Sequence, residues 1–157
     1  MAALVSLKAV VDEMDVVSDD HFAYLNPQTG ELVTLSTEEI SIAEEDLATD
    51  DYPEWQLALI SKARDVLASN DYLRLPTRYD IHEYAIMEQF CSSQADERLG
   101  QTLLDQIHGS GAFRRFKQAI NRHGLEQDWY RFRAAALEAI AIAWLETHQI
   151  AYQRSTT

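Results

Sequence analysis

The chain has 157 residues, of which 46% are hydrophobic and 25% charged, with five glycines and three prolines. That length supports one domain with its own core and needs no metal or disulfide for stability. Scarce Gly and Pro argue against an all-β fold rich in tight turns and favour helix. A formal net charge of -13, with a pI near 4.6, argues against a general nucleic-acid binder that works by neutralising phosphates.

The charge is unevenly placed. Fourteen of the 26 acids lie in residues 1–60, against Lys8 alone among the 13 bases, and the remainder holds twelve of each. Such asymmetry implies two surfaces with different partners, or an acidic face that serves solubility. Cys91 is the single cysteine, so it closes no internal bridge and suits a reducing compartment. From Met1 to Leu25, Lys8, Asp12, Glu13 and Asp15 interrupt any apolar run, so no signal peptide is expected. With no long apolar run either, the expectation is no membrane contact and a cytoplasmic location.

Ser6 reads as an N-cap before Leu7, Val10, Val11 and Met14, one face of a short helix ending near Ser18-Asp19-Asp20. Phe22–Leu25 and Glu31–Leu35 flank Asn26-Pro-Gln-Thr-Gly30, which predicts a β-hairpin with Gly30 at positive φ. Ser36 and Glu39 form a capping-box pattern before Ile40, Ala43 and Leu47, and the helix stops at Thr49-Asp50. Pro53 suits the first turn of the next helix, with Trp55, Leu59, Ala63, Val66 and Leu67 inward. Residues 72–76 are extended, held out of helix by Pro76. Thr77 and Asp80 repeat the capping pattern and open a helix to Ser92 that is apolar nearly all round, hence central. Another helix covers 95–107 with Leu99, Leu103, Leu104 and Ile107 inward, and Gly109 is its left-handed cap. Over 112–122, Ala112, Phe113, Phe116, Ala119 and Ile120 share a buried arc, and Arg114, Arg115, Lys117, Gln118, Asn121 and Arg122 take the rest. A long helix over 126–148 turns Trp129, Phe132, Ala136, Ile140 and Trp144 to one side, and the tail from Tyr152 is expected to fray.

The run from Leu75 through Thr77, Tyr79, Asp80, His82 and Glu83 to Phe90 is distinctive. So are Ile107-His-Gly-Ser-Gly-Ala-Phe-Arg-Arg-Phe-Lys117, Trp129-Tyr130 and the repeat ending in Trp144-Leu145. With the hairpin and the Tyr52-Pro-Glu-Trp55 turn, these residues resemble a bacterial family known as uncharacterised protein family 0158, over nearly the whole chain. The resemblance implies a shared fold and no established activity. The family's glycine segment is Gly-Arg-Gly, so Ser110 removes one cation from it.

Gly109, Ser110 and Gly111 precede a helix carrying Arg114, Arg115, Lys117 and Arg122, a candidate anion-binding site. Free N–H groups and the dipole at a helix N-terminus favour an anion, and arginine adds bidentate donors. Phosphate, a nucleotide or a nucleic-acid backbone could bind there. The opposing interpretation makes the glycines an interhelix turn and the arginines a solvated face paired with the acidic part. The Lys-Ser/Thr ending of a true P-loop is absent, because Ala112-Phe113 stands there. Phe113 and Phe116 offer no base-stacking surface, since their spacing puts both on the buried arc. The histidines His21, His82, His108, His123 and His148 have no metal-binding spacing, and His82 faces neither Asp80 nor Glu83 on a helix. Cys91 reads as a core thiol, and no nucleophile elbow surrounds Ser110.

The sequence therefore predicts a predominantly helical α+β fold, an N-terminal β-hairpin unit packed with a helical bundle, in one domain over 1–157. Residues 1–52 would be the acidic part, 53–148 the helical part and 149–157 a tail. The expected function is non-catalytic binding or regulation, with no catalytic residue, metal or cofactor. A phosphate-bearing ligand or nucleic acid would meet the basic helix, and a basic protein the acidic part. The alternatives are a small enzyme acting on a phosphorylated substrate, and an acidic mimic of nucleic acid.

Overall fold

The computed structural model describes residues 4–16, 20–45 and 51–154, with the side chains of 78 and 79 outside that description. The expected helix stops at Ser18-Asp19 and Thr49-Asp50, the inward Leu47 and the last three residues of the tail fall outside the described residues. The fold is α+β and mainly helical. In chain order the elements are β1 (Val5–Ser6), α1 (Leu7–Val16), β2 (His21–Leu25), β3 (Leu32–Ser36), α2 (Thr37–Glu45), α3 (Glu54–Ala68) and β4 (Leu73–Arg74). They continue with α4 (Arg78–Ile81), α5 (Glu83–Ser92), α6 (Glu97–Gln106), α7 (Ala112–Arg122), α8 (Glu126–Thr147) and β5 (Tyr152–Gln153). The Cα positions divide into two compact units, one of Met1–Ile81 with Ile140–Thr157, the other of His82–Ala139. The chain thus leaves the first unit, builds the second, and returns along α8.

In the first unit, the Ser6 hydroxyl accepts from Ala9 N at 3.2 Å, the expected cap, and Leu7, Val10 and Met14 are buried. The hairpin pairs His21 with Ser36 through to Leu25 with Leu32. Its loop is held by Asn26, whose side-chain oxygen accepts from Gln28 N at 2.9 Å, and Gly30 takes φ 78°. The extended segment before Pro76 becomes β4 and pairs antiparallel with β2 (Tyr24 with Arg74, Leu25 with Leu73), giving a sheet of order β3-β2-β4. Ser36 caps α2 by accepting from Glu39 N at 3.3 Å. Tyr24, Leu35, Ile40, Ala63 and Val66 form one buried cluster that joins this sheet to α2 and α3.

Two expectations in this unit are corrected. Trp55 is 65% exposed, because the buried stripe of α3 is Gln56, Ile60, Ala63 and Val66. Both stripes satisfy helical spacing, and the packing partners select one. The expected frayed tail differs as well: Tyr152 and Gln153 pair in parallel with Val5 and Ser6, and Val5 N donates to Ala151 O at 3.1 Å.

The expected single helix from Thr77 to Ser92 is broken at His82, where the second unit begins. Thr77 and Asp80 do form a capping box, with Thr77 N donating to the Asp80 carboxylate at 2.9 Å. His82 then adopts φ 54° and ψ 63°, a left-handed conformation that stops α4 before α5 begins. α6 is capped by Asp96, whose carboxylate accepts from Arg98 N and Leu99 N. Gly100 passes so close to α5 that a Cβ there would lie 2.6 Å from the Cys91 carbonyl oxygen. Phe90 meets Phe116, Trp129 and Phe132 edge-on, with centroids at 6.1, 5.4 and 5.4 Å, an aromatic core joining α5, α7 and α8. Glu83 receives Arg133 Nε at 2.6 Å, which ties the start of α5 to α8.

Candidate anion-binding face

The loop between α6 and α7 is built around Arg115. Gly109 and Gly111 take φ 75° and 78°, so the left-handed conformation expected for Gly109 is found at both. The Arg115 guanidinium donates to Gln106 O at 2.8 Å, to Ser110 O at 2.6 Å and to His108 O. Tyr84 Oη donates to Ile107 O at 2.8 Å. Four carbonyls between the last residue of α6 and Ser110 therefore receive side-chain donors. The turn supplies acceptors to a resident cation, and Arg115 is a staple of the loop.

The other cations of α7 differ. Arg114 and Arg122 are exposed, and neither makes an ion pair or side-chain hydrogen bond with any described residue. The arginine face is thus not neutralised by acids at these two positions. Between Asp105 and Glu126 the sequence carries no acid at all. Of the formal charge, the unit of His82–Ala139 holds seven bases and eight acids, so nearly all of the net negative charge belongs to the other unit.

Lys117 lies half-buried between two rings: its Nζ is 5.4 Å from the centroid of Phe113 and 5.4 Å from that of Tyr130. Both rings are 50% exposed. The expectation that Phe113 shares the buried arc is corrected. At 100° per residue it lies at the arc's edge, while Phe116, Ala119 and Ile120 fill the centre and are the residues α7 buries. Tyr130 was not legible as a site residue. The available signal was negative, since it falls off the apolar stripe that runs through its neighbour Trp129. On α8 the most buried side chains are Trp129, Leu137, Ala141 and Leu145, whereas Phe132, Ala136, Ile140 and Trp144 are half-buried.

The seven residues of the candidate site, Gly109, Ser110, Gly111, Arg114, Arg115, Lys117 and Arg122, differ in their surroundings. Gly109, Ser110 and Gly111 shape the turn, and Arg115 locks it. Phe113, Arg114 and Lys117 lie along one side of the helix with Tyr130 beside them. Arg122 is exposed one turn beyond the centre of the buried arc. Among the described residues there is no group of three His, Cys, Asp or Glu able to hold a metal ion. Cys91 is buried in α5, and burial pushes its thiol pKa up to about 11, so the neutral thiol dominates at ordinary pH. No described helix is long and apolar enough to cross a membrane.

A second polar cluster occurs in the first unit. Lys62 Nζ donates to the two Glu31 oxygens at 3.0 and 3.1 Å, and Tyr72 Oη donates to the same carboxylate. The Tyr72 hydroxyl first and Lys62 second hold the Glu31 carboxyl below its ordinary pKa, and Glu31 in turn raises Lys62. This triad fastens the hairpin loop to α3 and to the segment before β4.

Fold and surface together define a small, mainly helical α+β protein with a cation–aromatic face on α7. The chain belongs to the uncharacterised protein family UPF0158, whose sequence profile matches residues 3–155. No curated protein and no solved structure matches it.

Proposed function

We propose that this is a non-catalytic binding protein that engages a phosphate-bearing ligand through the exposed side of α7. The observation that carries the reading is the unpaired state of Arg114 and Arg122 among the described residues, on a helix that also carries Lys117 and no acids. Exposed guanidinium groups left free of carboxylates retain their bidentate donors for an external oxyanion. The glycine turn contributes by fixing the start of α7 rather than by cradling the anion, because its carbonyls are directed to Arg115. A regulatory role in the cytoplasm follows from this reading as its simplest setting.

The test is thermal stability of the full chain with inorganic polyphosphate, at low and moderate salt. A ligand at about 100 times its dissociation constant adds ~2.7 kcal/mol, which a melt resolves. Arg114→Glu with Arg122→Glu will abolish the shift while preserving the melting profile of the free protein. Arg115→Glu is the wrong probe, since it breaks the loop. A shift unchanged in the double variant overturns the assignment.

A further inference from the structure

We infer that the occupant of this face is single-stranded nucleic acid, whose bases stack on Phe113 and Tyr130 while its phosphates meet Arg114, Lys117 and Arg122. The inference rests on the reading of α7 as an anion-binding face and names its ligand class. What sets Phe113 and Tyr130 apart from the other exposed apolar side chains is that these two half-exposed rings flank the same ammonium. With Lys117 Nζ 5.4 Å from each centroid, the rings lie within about 11 Å of one another. A cation set between aromatic faces offers both components that an unpaired strand presents in alternation, a flat base and a charged phosphate. Stacking of this kind is sequence-tolerant because every base has a π-face, and arginine and lysine follow the backbone beside it. A duplex hides its base faces and would use only the cations. A simple phosphate would use the cations and leave the rings idle. Phe113, Lys117 and Arg114 fall within about 100° of the α7 surface with Tyr130 near the start of α8, and Arg122 lies about two turns on from Arg114 on the exposed side.

The experiment compares three probes on the full chain by fluorescence anisotropy and competition: a short labelled oligouridylate, a duplex RNA of equal length, and inorganic polyphosphate of matched charge. The expected result is that the oligouridylate binds about tenfold or more tightly than either of the others, as stacking of even one base implies. Phe113→Ala with Tyr130→Ala removes that advantage and leaves polyphosphate binding unchanged. Tyr130→Trp keeps or strengthens oligouridylate binding, and this variant decides the matter if the alanine pair melts early. Equal affinity for all three probes, or no effect of the ring substitutions, overturns the stacking inference while leaving the anion-binding reading intact. Absence of binding to every probe overturns both.

Discussion

Arg115 shows how a residue that looks functional in sequence becomes structural once its neighbours are placed. Its guanidinium serves Gln106, Ser110 and His108 carbonyls at once, and only a planar fork with several donors can do this. Arg115→Lys will therefore behave like Arg115→Ala, each costing about 1–2 kcal/mol in urea unfolding, in line with charged hydrogen bonds that are partly open to water. A lysine that restores full stability would show that charge, not the fork, is what matters. Cys91 gives a pH-dependent prediction at the same scale. Its folded pKa of about 11 lies above the reference value of 9.0, so the folded state holds the proton longer than the unfolded one. Stability contributed by the neutral thiol is complete below pH 9 and declines as pH rises toward 11. Cys91→Ala will flatten that part of the stability–pH curve, measured by denaturant midpoints against the parent protein. An identical slope in the variant would remove Cys91 from the effect.

At the scale of elements, the capping signals were legible because they are local. Ser6, Ser36 and the Thr77–Asp80 pair each make the hydrogen bond that their spacing predicted. Helix continuity was less legible. Nothing in the apolar pattern from Ile81 to Phe90 marks the break at His82, whose left-handed conformation is compatible with histidine and costly for a β-branched residue. His82→Val will destabilise the fold by about 1–2 kcal/mol, while His82→Gly will be neutral or mildly stabilising, as read from chemical denaturation. The hairpin offers a second element-scale test. Glu31 is held below its ordinary carboxylate range by the Tyr72 hydroxyl and Lys62, so the bond network is fully present above pH 4.5 and is lost as pH falls further. A carbon-detected NMR titration will find the Glu31 midpoint below 4.5. Tyr72→Phe will move that midpoint up, and a midpoint that stays put would remove the hydroxyl from its role.

For the whole molecule, the balance of charge governs how the face on α7 operates. A chain of net charge -13 repels polyanions at long range, so association depends on the local cations and on ionic strength. Contacts from Arg114, Lys117 and Arg122 to a single strand imply a salt slope near three times ~0.7, or roughly a 20-fold loss of affinity between about 50 and 200 mM salt. Arg114→Glu will lower that slope as well as the affinity. A slope near zero in the parent protein would indicate binding carried by the rings alone.

The amino-acid sequence alone determined the fold class, the hairpin, the caps and the acid-free character of α7, because each depends on residues within a few positions of one another. It also placed the buried centres of α1 and α7, where one apolar stripe dominates. Tertiary structure decided which of several adequate stripes is buried on α3 and α8, turning Trp55 outward and Leu137 inward. It brought Val5 to Tyr152, a pairing between short segments that carries no periodic signal. It also separated cations that look equivalent in the sequence, committing Arg115 to carbonyls of its own turn and leaving Arg114 exposed. Local spacing fixes which face of a helix a residue occupies, but only the neighbouring chain determines whether that face meets protein or water.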